Sequence, residues 1–321
     1  MKKITITLFS IFLAFISLAQ TGNSIEEEIK ELQKKAKLIY NEGVRLAEQG
    51  KYTEAHLKFD AALFILPEFA YPYVERAKIK ILNQEFDLAQ KDVDKAIEIN
   101  DAIGEAFYLR AYLKLLKDDY QNALTDFTHA IQKGYTEPEA YYYRGLMDFK
   151  LSDYNSALID FTLAIDKKYD FAYAFNDRAS SKRMLGDYHG AIHDYTQALS
   201  YDSTIIVAYD NRGSCKIKTG DFQGAIEDYT KAIQKDPEFY TALNNRGSAY
   251  YHMGNYESAL NDFTRVIEIN KEYAPAYNNS GITKIKMANY LGAEQDLDKA
   301  IELDPEYGEA YMNRGGCDDT E

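Results

Sequence analysis

Apolar residues recur along this chain at helical spacing, and the pattern repeats itself at a longer period. The stretches GDYHGAIHDYTQAL (186–199), GDFQGAIEDYTKAI (220–233) and GNYESALNDFTRVI (254–267) each begin 34 residues after the last. Continuing that step places units at Ala36, Ala70, Gly104, Pro138, Ala172, Ile206, Tyr240 and Ala274 without one insertion, and a partial ninth runs to Glu321. Within a unit, positions 4, 8 and 11–12 form one apolar stripe and positions 17, 20, 24 and 27 another, so each unit reads as two helices. A period of this length predicts an all-α solenoid of stacked helix pairs.

Several columns carry the packing. Position 20 is alanine in every full unit, from Ala55 to Ala293, and position 8 is glycine or alanine from Gly43 to Gly315. Small side chains there let helix axes approach closely. Position 17 is always aromatic, from Tyr52 to Tyr290, and is expected to fill the wedge between helices. In six of eight units position 16 is Asp119, Asp153, Asp187, Asp221, Asn255 or Asn289, all N-cap residues for a second helix. Gly50, Gly186, Gly220 and Gly254 precede the second helix at position 15, as a tight turn requires.

These columns resemble the tetratricopeptide repeat family, whose pattern is an aromatic at 4, Gly or Ala at 8, Ala at 20, an aromatic at 24, Ala at 27 and Pro at 32. Unit 206–239 supplies Tyr209, Gly213, Ala225, Tyr229, Ala232 and Pro237 in those places. The resemblance spans 36–321, divided as 36–69, 70–103, 104–137, 138–171, 172–205, 206–239, 240–273, 274–307 and 308–321. It implies a right-handed superhelix whose first helices line a concave groove, in a family that mostly binds proteins or peptides.

Two columns depart from the family. Position 7 carries Arg76, Arg110, Arg144, Arg178, Arg212, Arg246 and Arg314 where the family has leucine. Position 23 carries Asp92, Asp126, Asp160, Asp194, Asp228, Asp262 and Asp296. The first unit inverts both, with Glu42 and Lys58, which predicts that the two positions pair within a unit as a structural ladder. Ser280 replaces the arginine of the eighth unit and is expected to leave Asp296 without its partner.

By the resemblance, positions 2, 5, 9, 12 and 13 face the groove. Early units place Tyr71, Tyr108, Tyr112, Tyr142, Leu146 and Phe149 there, an apolar wall that packing alone does not demand; later units turn polar, with Asn176 and Arg183 foremost. These eight are the candidate partner-binding residues, since Tyr and Arg most often anchor interfaces. The carboxylate-clamping Lys and Asn of chaperone-binding relatives are missing from their positions.

Composition removes other functions. Hydrophobic residues at 46% support a core, and a formal charge of −14 repels phosphate backbones, so a nucleic-acid partner is not expected. Thirteen of the 28 tyrosines stand in scaffold columns 4, 17 and 24, which leaves most of them a packing role. Cys215 and Cys317 share a column three units apart, too far for a disulfide, and are expected as free thiols. His189 and His193 have zinc-like i, i+4 spacing but no third ligand nearby, and there is no Walker-type loop or nucleophile elbow. No metal, cofactor or catalytic site is expected.

The ends complete the reading. Lys2 and Lys3, the apolar run Ile4–Ala19 and small Ser17 and Ala19 predict a signal peptide over 1–19, cleaved before Gln20. That implies an exported protein of the bacterial periplasm or cell envelope, with no membrane span after cleavage. Residues 20–35 read as a linker and a capping helix from about Ile25, with Ser24 and Glu27 as a capping box. At the other end the partial unit leaves an uncapped face that a second copy could cover; either a short natural cap or a truncated longer protein produces such an end. The expected function is a non-enzymatic scaffold that holds a partner polypeptide in the groove. Glycan or small-ligand binding and a regulatory module of a longer protein are the alternatives.

Overall fold

The computed structural model describes residues 26–318, with side chains described through Gly316. The predicted signal peptide, its cleavage site and Ser24 of the capping box lie outside the described residues. Every element within them is a helix. The first, α1, covers 26–48. Then follow α2 (Tyr52–Ile65), α3 (Ala70–Leu82), α4 (Phe86–Ile99), α5 (Gly104–Leu115), α6 (Tyr120–Gln132), α7 (Pro138–Lys150), α8 (Tyr154–Lys167) and α9 (Ala172–Met184). The chain continues through α10 (Tyr188–Tyr201), α11 (Ile206–Lys218), α12 (Phe222–Lys235), α13 (Tyr240–His252), α14 (Tyr256–Ile269), α15 (Ala274–Lys286), α16 (Tyr290–Leu303) and α17 (Gly308–Asp318). The odd helices are first helices of a repeat and the even ones second helices. Within each of its compact bodies, consecutive helices pack in order, so the all-α repeat solenoid is the observed fold.

The chain divides into two compact bodies at Met147/Asp148, inside α7. In the first, α2 to α6 pack in sequence, with α3 also meeting α5. In the second, α8 to α17 do the same, and α9 meets α11, α11 meets α13, α13 meets α15 and α15 meets α17.

The close approach has a definite geometry. A Cβ added at Gly43, Gly213 or Gly247 would lie 2.7–2.8 Å from the ring of Phe59, Tyr229 or Phe263, the position-24 aromatic of the same repeat. That ring fills the space left by the missing side chain. All eight position-20 alanines are fully buried, and so are Phe59, Phe127, Phe161 and Tyr195 at position 24. Position 17 behaves differently from the expectation: Tyr52 is 45% exposed, and the other residues of the column are only half-buried. These rings stand at the first turn of the second helix, where one edge faces solvent.

The helix-connecting turn demands a left-handed residue in every full repeat. Gly50, Gly186, Gly220 and Gly254 have φ of +75° to +86°, and Gln84, Asp118, Ser152 and Ala288 take φ of +56° to +66° at the same position. The next residue caps the second helix as expected in five repeats: Asp153, Asp187, Asp221, Asn255 and Asn289 accept from the backbone N–H three residues on. Asp119 does not; its carboxylate accepts instead from the Asn122 side-chain amide at 2.9–3.0 Å.

The charge columns pair within each repeat, helix to helix. The Arg178, Arg212 and Arg246 guanidinium groups each make two bonds to the aspartate sixteen residues on, at 2.6–2.9 Å. Glu42 and Lys58 form the inverted pair at 3.0 Å. Two features of this ladder exceed the sequence reading. The free arm of the guanidinium reaches position 25 of the preceding repeat: Arg76 to Asp60 at 2.7 Å, Arg212 to Thr196 at 3.0 Å, Arg246 to Thr230 at 3.1 Å. Each such arginine therefore ties three helices. A position-11 lysine also joins the aspartate, as in Lys182–Asp194 at 2.8 Å and Lys216–Asp228 at 2.8 Å. That second cation corrects the expectation for Asp296, which is paired with Lys284 at 2.5 Å. Burial opposes the charge on Asp194, but Arg178 and Lys182 outweigh it and hold the carboxyl below its ordinary range.

The helix expected from about Ile25 is present from residue 26 as the first part of α1, but its residues 26–35 are exposed, with Ile29 at 48% and Leu32 at 44%, where a covering role was expected. Burial starts at Ala36, where Tyr40, Val44 and Ala47 meet Phe59 of α2. The straight helix runs on past its partner, so its first turns cover nothing among the described residues.

Replacing Ala288 by glycine relieves the left-handed strain and should raise stability by about 1 kcal/mol, read as a higher denaturant midpoint. In the seventh repeat position 11 is Tyr250, so no lysine complicates a charge swap. Asp262→Lys alone should cost about 3 kcal/mol, and Arg246→Glu with Asp262→Lys should recover at least half of it in the same measurement.

Candidate functional site

The side chains that matter stand on first helices, on the face away from the second-helix stripe. The eight predicted residues fall in both bodies: Tyr71, Tyr108, Tyr112, Tyr142 and Leu146 in the first, Phe149, Asn176 and Arg183 in the second.

In the first body, Tyr71 on α3 is 49% exposed, with its ring 6.4 Å from Tyr40 and 6.2 Å from Phe69. Tyr108 on α5 is largely enclosed. Its ring centroid lies 4.8 Å from Tyr135, 5.7 Å from Phe127 and 6.3 Å from Tyr143, which makes it part of the core as well as of the face. Burial first, then the neighbouring phenols and Glu139, pushes the Tyr108 hydroxyl well above its ordinary range, so it stays a neutral donor. Tyr112 lies one turn further along α5, half-buried, 5.7 Å from Tyr143 in an edge-on arrangement. Tyr142 stands edge-on to Tyr143 at 5.2 Å, and Leu146 packs against the cluster around Phe127 and Met147.

Of the predicted residues, Tyr108 and Tyr112 border an open cleft of about 310 Å³ between α3, α5 and α7, lined also by Lys78, Ile81, Leu82, Leu109 and Tyr143. Leu82 at its edge is 61% exposed. Tyr143 and Tyr135 were not among the predicted residues. Tyr143 stands at position 6, outside the groove columns, and Tyr135 occupies position 32, where the family pattern has proline. That departure at position 32 was the available signal for Tyr135.

In the second body, Phe149 turns toward its own repeat, edge-on to Tyr154 at 5.3 Å. Asn176 is 8% exposed, and its amide donates to Asp177 at 2.8 Å while its Oδ1 has no hydrogen-bond partner. Arg183, two turns on along α9, has a buried Nε that is likewise unpartnered. A rise of 1.5 Å per residue puts the two positions ~10 Å apart along the helix. Between them Ser180 Oγ bonds Tyr195 OH at 3.0 Å, and burial pushes that phenol up to about 12. Asp210, one repeat on, is shifted above its ordinary range by burial, against Asn245 and Arg183.

Position 6 supplies a polar row that the sequence reading missed. Asn245 donates to Asp210 at 3.0 Å, Asn279 to Asn244 at 3.0 Å and Asn313 to Asn278 at 2.9 Å, each rung joining one first helix to the preceding one. The recurrence of asparagine at 211, 245, 279 and 313 was the signal for it. Beside this row, Ser214, Lys218, Tyr229, Asn245 and Ser248 line a smaller cleft of about 200 Å³.

Other candidate chemistry finds no support among the described residues. No group of three or more His, Cys, Asp or Glu is placed to hold a metal, and no helix is long and apolar enough to cross a membrane. Cys215 is a buried free thiol, held protonated by its burial at about 11, while the Cys317 side chain lies outside the described ones.

Comparison with known proteins agrees with this geometry. Models described as tetratricopeptide repeat match residues 240–273 and 274–307, and one described as TPR repeat matches 216–254. No curated protein matches the chain. Among solved structures, the C-terminal part of a TPR repeat-containing protein from Cytophaga hutchinsonii is similar at 15% identity and a TM-score of 0.60, over 75% of this chain and 98% of that one. A tetratricopeptide repeat protein from Parabacteroides merdae is similar at 16% identity and a TM-score of 0.54, over 77% and 98%. The APC/C hetero-tetramer Cut9–Hcn1 is similar at 12% identity and a TM-score of 0.57, over 83% of this chain and 52% of that one. At these identities the likeness shows the fold, and the family models identify tetratricopeptide repeats within residues 216–307.

The two tyrosines of α5 should separate in their effects. Tyr108→Ala removes a core ring and should cost about 3 kcal/mol of stability, whereas Tyr112→Ala should cost about 1 kcal/mol, both read by denaturant unfolding.

Proposed function

We propose that this protein is a non-enzymatic scaffold that holds a segment of a partner polypeptide against the exposed face of its first helices. The observation that carries the reading is the aromatic cleft of α3, α5 and α7: an open apolar volume of about 310 Å³ that core packing leaves unfilled. Exposed apolar surface costs solubility and tends to mark a contact. Aromatic anchors bring large buried area at small entropic cost.

The second body supports the same reading with polar chemistry. Asn176 Oδ1 is a buried acceptor and Arg183 Nε a buried donor, both unpartnered, about two helical turns apart. Three residues of extended chain span a comparable length, so one strand-like segment can satisfy both. Repeats of this fold generally serve as interaction scaffolds rather than enzymes. Export to the periplasm or cell envelope belongs to the same proposal and rests on the pattern of residues 1–19.

A photo-reactive benzoylphenylalanine at Leu82, on the rim of the cleft, should crosslink to a polypeptide in cells. The same probe at Ile159, exposed on the second helix α8, should not. Equal labelling at both positions, or none at Leu82, would remove the cleft as the site. An adduct of carbohydrate mass at Leu82 would favour glycan binding instead.

A further inference from the structure

The aromatic cleft is not electrically neutral. Lys78 lines it, and its ammonium lies 2.6 Å from Glu105 and 2.9 Å from Glu75. One cation thus sits between two carboxylates, all three partly accessible at 19–33% side-chain exposure. Glu139, at the start of α7, adds to the field on Tyr108, Tyr135 and Tyr143, and Glu105 and Glu137 add to that on Tyr135. Two carboxylates, Glu75 and Glu105, therefore flank the one ammonium at this face, and Glu137 and Glu139 act on its tyrosines.

The chemistry of such a place is specific. Tyrosine faces attract cations through the ring quadrupole. Carboxylates make strong, charge-assisted bonds to guanidinium and ammonium groups. The floor of Ile81, Leu82 and Leu109 suits the aliphatic stem of a long basic side chain, which buries its methylenes and leaves its charge at the rim. Lys78 shows that an ammonium is accommodated there. In the second body the columns of the cleft floor, positions 12 and 13, carry Arg183, Lys218 and Lys286 where this cleft has Ile81 and Leu82, so an apolar floor beside carboxylates belongs to this cleft.

We propose that the cleft of α3, α5 and α7 selects a cationic segment of its partner polypeptide, with an arginine or lysine stem lying over Ile81 and Leu82, its charge between the tyrosine faces and Glu105. This rests on the reading of the cleft as a polypeptide site and narrows it to basic sequences. The chain's overall charge of −14 speeds encounter with such a segment and repels acidic ones.

Panning a phage-displayed library of random heptapeptides on the whole protein tests both levels. The expected result is enrichment of Arg and Lys over Asp and Glu. Enrichment should be lost on Tyr112→Ala, and the basic bias should be lost on the Glu105→Gln/Glu139→Gln variant, each first checked for unchanged helical content. In a peptide so selected, arginine replaced by citrulline should bind about tenfold more weakly. Raising salt from about 0.05 M to about 0.5 M should weaken the parent peptide several-fold. Peptides that need Tyr112 but show no basic bias, or bind citrulline equally well, would overturn the charge selection and leave the scaffold reading standing. No enrichment at all, or enrichment indifferent to Tyr112, would overturn both.

Discussion

A single 34-residue helix pair has two apolar stripes and cannot bury both against itself, so everything in this protein follows from how closely one helix can approach the next. The approach is set by a small residue at position 8 facing a large side chain at position 24, a ring in six of the eight full repeats and Val93 or Leu297 in the others. At Gly43, Gly213 and Gly247 even one methyl group would press into that ring. The alanines at positions 20 and 27 complete a seam with no solvent in it. Because each repeat needs its neighbour in this way, the second-helix side is committed to packing. The first-helix face is what remains to vary.

Electrostatics orients what packing brings together. A guanidinium between two helices of its own repeat and the second helix of the preceding one is directional, which a stripe of alanine is not. Its bonds to Asp228 or Asp262 are mostly desolvated, and a buried pair of this kind adds little net stability over apolar residues while penalising any shift of register. The inverted Glu42–Lys58 pair shows that the ladder requires opposite charges rather than particular residues.

The first-helix face then divides by chemistry. In the first body, tyrosines and glutamates flank an unfilled cleft; in the second, asparagine rungs join successive helices at 2.9–3.0 Å and leave Asn176 Oδ1 and Arg183 Nε unsatisfied. The first body thus offers apolar and aromatic surface on its first helices, and the second offers hydrogen-bonding groups on its own.

The sequence by itself determined the period, the pairing of helices, the caps at Asp153 and Asp187 and the Arg–Asp ladder, because each depends on residues at fixed short spacing within a repeat. It could not determine which tyrosines stay accessible. Tyr108 and Tyr112 stand four residues apart on one helix and both line the cleft, yet Tyr108 is also enclosed by Tyr135 and Phe127. Nor could it foresee that Lys284 would replace the missing arginine opposite Asp296, or that the arginines would reach back to Thr196 and Thr230. Those outcomes depend on side chains from other helices meeting at the same point, and burial and partnership are properties of that meeting rather than of any one segment.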